Sequence, residues 1–154
     1  MLTEELKQEI EAAINICPTR KSVCIEAMLM VQRQYGWISD ERLRDIAEFL
    51  DMTVDELDGI ATFYNHIHRK PVGRHVILIC DSVSCWIMRF EEILEHLTKR
   101  LGIGLGETTT DGRFTLLAIQ CLGACDQAPA VMIDDELHSN LDPDKIERIL
   151  AAYE

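Results

Sequence analysis

His75-Val76-Ile77-Leu78-Ile79-Cys80-Asp81-Ser82-Val83-Ser84-Cys85 is the stretch on which the fold turns. Its first six residues form a β-branched, apolar run that follows the breaker Pro71-Val72-Gly73, and they predict a strand. One cysteine closes that strand and a second follows at C-x4-C spacing. Downstream, Ile87, Phe90, Leu94, Leu97 and Leu101 keep helical period until Gly102 stops them. Gly102 to Gly106 reads as a loop and Asp111-Gly112 as a turn into a second strand, Phe114–Ile119. Cys121 to Pro129 is an irregular loop holding a C-x3-C pair. Ala130–Ile133 is a third strand, and Asp134-Asp135 turns into a fourth, Glu136–His138. Asp142 caps a last helix with Pro143 at its first position, and Ile146, Ile149, Leu150 and Tyr153 face inward. The order β-α-β-β-β-α is α/β, and the order of strands within the sheet is not legible at this level.

Upstream, the period is helical throughout. Thr3 caps a helix whose first turn carries Glu4 and Glu5, with Leu6, Ile10, Ala13 and Ile14 on one face. Pro18 and Arg20-Lys21 break it. Ser22 is expected to cap a second helix, with Cys24, Met28, Val31 and Tyr35 on one stripe and Gly36 at its end. Ser39 or Asp40 starts a third, with Leu43, Ile46, Ala47 and Leu50 inward. Thr53-Val54-Asp55-Glu56 is a capping box, so a fourth starts at Val54. Short loops joining amphipathic helices predict a small bundle over residues 1–70, followed by a second domain over 71–154.

The 154 residues carry a net charge of −12, and apolar residues make up 47%. Residues 1–70 hold 8 basic against 13 acidic side chains, and the remainder 7 against 14. Both parts are acidic, which disfavours nucleic acid and anionic membrane surfaces as partners. No apolar run approaches the roughly 20 residues of a membrane span, so no direct membrane insertion is expected. The acidic, amphipathic start Met1–Leu6 fits neither a secretory signal nor a mitochondrial transit peptide. The protein is expected to stay in the compartment where it is made.

Cys80, Cys85, Cys121 and Cys125 are the candidate site. Both pairs follow strands, and if those strands are neighbours both loops leave one edge of the sheet and four thiolates converge. Structural zinc favours C-x2-4-C knuckles around one tetrahedral ion, whereas a [2Fe–2S] cluster is longer and takes two cysteines per iron. The x4 and x3 loops, at the longer end of that range, suit the longer object, and small residues such as Ser82, Ser84, Gly123 and Ala124 let backbone N–H groups approach the sulfurs. The spacing is not that of plant-type ferredoxins. Buried structural thiols and disulfides explain the pairs less well, and a thioredoxin-type active site lacks its C-x-x-C. Two classes stay open: an electron-transfer protein, and a zinc-stabilised adaptor. Cys17 and Cys24, on or beside helices, read as ordinary core or surface thiols.

Other residues carry weaker signals. No Gly-rich dinucleotide fingerprint follows a strand, so a dinucleotide is not expected on this chain. No catalytic constellation is present. His66 and His68 read as polar residues at a helix end rather than as ligands. Trp37, Phe63, Tyr64 and Trp86 are candidate interface anchors, although Trp37 and Phe63 are expected in the core. Asp81 and Asp126, the acids nearest the cysteines, are either turn residues or tuners of the reduction potential, and neutralising Asp126 is expected to raise that potential modestly.

Gly36-Trp37-Ile38-Ser39, Gly59-Ile60-Ala61-Thr62-Phe63-Tyr64, Cys80-Asp81-Ser82-Val83-Ser84-Cys85-Trp86, Asp111-Gly112-Arg113-Phe114 and Cys121-Leu122-Gly123-Ala124-Cys125-Asp126 together resemble the family of E subunits of bacterial NADH:quinone oxidoreductase, respiratory complex I. The mitochondrial counterpart is the flavoprotein-2 subunit. The resemblance implies an N-terminal helical bundle followed by a thioredoxin-like [2Fe–2S] ferredoxin domain. It implies one [2Fe–2S] cluster on Cys80, Cys85, Cys121 and Cys125, near the flavin and off the main electron path. It further implies that FMN and NAD sit on a partner, the flavin- and NADH-binding subunit, among other peripheral-arm subunits. The chain would then be a non-catalytic electron-transfer subunit, cytoplasmic and peripheral to the inner membrane. Related subunits occur in NAD-linked hydrogenases and formate dehydrogenases. Met88-Arg89 depart from the pattern, standing where a glycine is common, and a bulky cation there is expected to alter solvent access or the flavin-subunit contact.

Overall fold

Thr3 accepts a hydrogen bond from the Leu6 N–H on its hydroxyl and so opens helix α1, Glu4–Ile14, whose buried face is Leu6, Ile10 and Ala13. In this computed structural model, which describes residues 1–153, the chain divides into two units, Met1–Pro71 and one beginning at Val72. Residue 154, the end of the second expected domain, lies outside the described residues.

The first unit is helical. The expected Ser22 cap is not made. A 3-10 turn, Arg20–Val23, intervenes, Ser22 pairs its hydroxyl with that of Thr19 at 2.8 Å, and α2 runs Cys24–Tyr35. Gly36 ends α2 with φ +81, a conformation that a side chain would strain. Ser39 caps α3, Asp40–Phe49, and the Thr53–Glu56 box caps α4, Val54–Phe63. Ile10, Met28, Ile38, Leu43, Ile46, Leu50 and Leu57 are fully buried in one core, each contributing roughly 1.5–3 kcal/mol by leaving water. Cys24 lies in that core and Cys17 packs half-buried against it. Arg69 ties the segment after α4 back to Asp58, Asp40 and the Ile38 carbonyl. Phe63, expected inside, is 77% exposed. The inward positions of α4 are Leu57 and Ala61, four apart, and Phe63 lies two residues beyond Ala61, on the other side of the helix. Trp37 is half-buried, because its neighbour Ile38 takes the core position.

The second unit is a four-stranded sheet in the order β2-β1-β3-β4, with β1 His75–Cys80, β2 Phe114–Ile119, β3 Val131–Ile133 and β4 Glu136–His138. β1 and β2 are parallel, and β1–β3 and β3–β4 are antiparallel. Ile77, Ile79, Phe114, Leu116, Val131 and Ile133 pack with Ile93 and Leu97 of α6 (Phe90–Leu101) and Ile146 and Leu150 of α7 (Pro143–Ala152). Val76, Leu78 and Cys80 alternate to the other face. The single helix expected after Cys85 is in fact two. A short α5, Val83–Ile87, ends before Arg89, which caps α6 in the left-handed conformation, φ +71. Ile87, expected on the inward stripe, is therefore 67% exposed, since the break resets the helical phase before Phe90. No helix among the described residues is long and apolar enough to cross a membrane.

Candidate metal centre

Parallel pairing sets Cys80 level with Ile119. The chain therefore leaves β1 and β2 at one end of the sheet, and both cysteine loops start there. Cys80 is the last residue of β1, held by its N–H to the Ala130 carbonyl, and the Asp81 N–H reaches the Ile119 carbonyl. The chain turns at once into α5, which faces Cys85 inward. The second loop is pinned from outside: Asn140 and Leu141 donate to the carbonyls of Gln127 and Pro129, and the Ser139 hydroxyl bonds the Gln127 side chain. The Ala128–Pro129 peptide in this loop is cis. A 3-10 turn, Cys125–Gln127, shapes the part beyond the second cysteine.

The fold brings the four predicted cysteines together. Cys80 lies near enough to both Cys85 and Cys121 to influence their ionisation, and Cys125 near enough to influence that of Cys85. The sulfurs of Cys121 and Cys125 are 3.8 Å apart. That is far beyond the roughly 2.05 Å of a disulfide, and every cysteine is free. Two thiolates each about 2.3 Å from one tetrahedral metal stand about 3.8 Å apart, so this pair is spaced to share an ion. Among the described residues, no three His, Cys, Asp or Glu side chains close on one point as a mononuclear ion requires.

The environment is two-sided. Cys80 and Cys85 are 3% and 2% exposed, whereas Cys121 and Cys125 face solvent. Burial, with Cys80 beside it, pushes the Cys85 thiol up to about 11. The Gly123 N–H, donating to the Cys121 sulfur at 3.4 Å, and then Cys125 lower the Cys121 thiol. Gly123 makes that bond at φ +81, where a side chain would strain the turn. A thiolate at the buried Cys85 calls for a cation to offset its desolvation. Asp81 and Asp126 are exposed at the rim.

Sequence reasoning named Trp86 as a candidate anchor and Arg89 as a departure from the family pattern, but missed the apolar surface around the one and the backbone of the other. The outer face of α5 presents Val83, Trp86, Ile87 and Met88 to solvent, Trp86 at 60%. Such a run of exposed apolar residues marks a contact surface. Arg89 beside it carries positive φ. His66 is exposed and His68 half-buried, with burial, and to a smaller degree His66, lowering the His68 imidazole.

The family described as "Thioredoxin-like [2Fe-2S] ferredoxin" matches residues 10–154. A relative in Pseudomonas aeruginosa, named as the E subunit of NADH-quinone oxidoreductase, is 45% identical over 99% of this chain and 92% of its own length. The Escherichia coli K12 protein of the same name is 44% identical over 96% and 89%. Among solved structures, NAD+-reducing [NiFe]-hydrogenase in the air-oxidized state superposes with a TM-score of 0.64 at 25% identity over 73% of this chain. Its H2-reduced state superposes with a TM-score of 0.72 at 22% identity over 85%. This chain spans only about a fifth of the hydrogenase chain it matches, 20% and 22%.

Proposed function

This chain belongs to the thioredoxin-like [2Fe–2S] ferredoxin family, alongside the E subunits of NADH-quinone oxidoreductase, and from that premise we propose that it binds one [2Fe–2S] cluster through Cys80, Cys85, Cys121 and Cys125 as the electron-transfer subunit of such a complex. The observation that carries the ligand set is the convergence of two strand-end cysteine pairs at one end of the sheet, one pair 3.8 Å apart.

Bound there, the cluster supplies a one-electron redox centre. The chain's own residues do the rest. Cys80 and Cys85 hold the inner side in a setting from which water is excluded, beneath Ala124, Ala128 and Ala130. Cys121 and Cys125 hold the outer side at the surface, leaving a short path for an electron to a neighbouring centre. The Gly123 N–H donates to the Cys121 sulfur and offsets part of its charge. The pinned loop 121–129 keeps the ligands positioned before metal arrives.

The chain itself carries no nucleotide fingerprint, so FMN and NAD are assigned to a partner, the flavin- and NADH-binding subunit, with other peripheral-arm subunits completing the assembly. The exposed apolar face of α5 supports that contact, since it adjoins the proposed ligand Cys85 and groups Val83, Trp86 and Ile87 at the surface. The proposed location is cytoplasmic and peripheral to the inner membrane. A diaphorase role in an NAD-linked hydrogenase rests on the structural likeness alone, while near full-length relatives favour the quinone-reducing complex. Anaerobic reconstitution with iron and sulfide, followed by visible absorption and EPR, tests the proposal. A zinc adaptor would remain colourless.

A further inference from the structure

Of the six free cysteines, Cys121 and Cys125 are the two that face solvent. Their sulfurs stand 3.8 Å apart, so an approach of roughly 1.8 Å would bring them to bonding distance. Leu122 to Ala124, the residues between them, belong to no helix or strand, and Gly123 adds no side chain to the turn. The hydrogen bonds that pin this loop, from Asn140, Leu141 and Ser139, fall on Gln127 and Pro129, past the second cysteine. The inner pair is placed differently. Cys80 and Cys85 are 3% and 2% exposed, packed with Ala124, Ala128 and Ala130, and the Cys80 thiol donates to the Gln120 carbonyl at 3.9 Å. A dissolved reagent therefore reaches the outer pair and not the inner one. Cys24 is buried in the helical core, and Cys17 packs half-buried against it.

We infer that Cys121 and Cys125 form a reversible thiol-oxidation site whose oxidant is a small-molecule disulfide. One of the two sulfurs attacks a sulfur of that disulfide, whose S–S bond breaks as one small thiol leaves. The other sulfur attacks the mixed disulfide, the second small thiol leaves, and an S–S bond joins Cys121 to Cys125. The chain gives up two electrons and two thiol hydrogens, and the two small thiols carry them away. An excess of small thiol runs both steps backwards. The consequence rests on the ligand set proposed above: the oxidised pair withdraws two of the four ligands, so the chain loads metal only where the thiol pool is reducing. Transient disulfides in reducing compartments serve redox sensing of this kind. The bond also shields two exposed sulfurs from oxidation to sulfinic acid, which small thiols do not reverse.

The test exposes the full metal-free chain, freshly reduced and folded by circular dichroism, to hydroxyethyl disulfide. The chain is then alkylated in denaturant and digested with trypsin. Residues 114–145 form one tryptic peptide holding Cys121 and Cys125, and residues 75–89 another holding Cys80 and Cys85. The 114–145 peptide is expected to be two hydrogens lighter and unalkylated, while 75–89 is alkylated at both cysteines. Cluster formation with iron and stoichiometric sulfide is expected to be lost in the oxidised chain and restored by dithiothreitol. Cys125→Ser, which lacks the second sulfur, is expected to keep a hydroxyethylthio group on Cys121. A 114–145 peptide that is fully alkylated, or linked to 75–89, would overturn the inference, as would an oxidised chain that forms its cluster at the reduced chain's rate. In the reconstituted chain Cys121 and Cys125 are expected to resist the same reagent. If they react there as fast as in the metal-free chain, the ligand assignment fails while the disulfide stands.

Discussion

Cys80 and Ile119 stand level across the parallel pairing of β1 and β2, and this register starts both cysteine loops from the same end of the sheet. An antiparallel pairing would have sent the loops from opposite ends. The site therefore depends on the strand direction as much as on the cysteine spacing.

The apolar face of α5 is predicted to be an energetic anchor for the proposed flavin- and NADH-binding partner. Trp86 is large, 60% exposed and next in sequence to the buried Cys85. Trp86→Ala in the reconstituted chain is expected to weaken binding to that partner by at least about tenfold, or about 1.4 kcal/mol. The visible spectrum should stay unchanged. Surface plasmon resonance with the purified partner measures this, and an unaltered affinity would show that another surface docks.

Arg89 is held at φ +71 with its side chain exposed, paired only with Glu92 at 3.4 Å among the described residues. A non-glycine residue in that conformation costs about 1 kcal/mol, and an exposed ion pair returns little. Arg89→Gly is expected to stabilise the metal-free chain by up to about 0.5 kcal/mol, after the greater freedom of glycine in the unfolded chain is counted. Urea denaturation measures it. A destabilised variant would mean that the Arg89 side chain does more than its one ion pair indicates.

His68 gives a pH dependence with a definite sign. Burial, with His66 a smaller cause, lowers its imidazole below the ordinary value of 6.5. On acidification the unfolded chain takes up this proton before the folded one. Stability is therefore full above about 6.5 and is lost as pH falls below that value. His68→Gln is expected to flatten the fall in folding stability between about pH 7.5 and about pH 5. An identical slope in the two proteins would remove His68 from the account.

Local chemistry makes much of this fold readable, and the misses have physical causes. Thr3, Ser39, the Thr53–Glu56 box and Asp142-Pro143 specify helix starts because the residues that satisfy orphan N–H groups lie within one turn of them. The β-branched run His75–Cys80 specifies a strand for an equally local reason. The order β2-β1-β3-β4 is not readable from the chain alone, since the β1–β2 and β1–β3 pairings join segments more than thirty residues apart. The break at Arg89 is hidden because the apolar period runs through it and arginine gives no warning of positive φ. The size of Phe63 suggests burial, whereas the phase set by Leu57 and Ala61 turns it outward. The cysteine spacing points to convergence. The inner and outer character of the two pairs emerges only from packing.

The most direct test is EPR of the anaerobically reconstituted chain before and after dithionite, with Cys121→Ser and Cys17→Ser as the paired controls. The account predicts a rhombic S = ½ signal that appears on reduction, survives in Cys17→Ser, and is lost or strongly altered in Cys121→Ser. A colourless, EPR-silent chain that holds stoichiometric zinc on the same four cysteines would contradict it and leave a structural metal module.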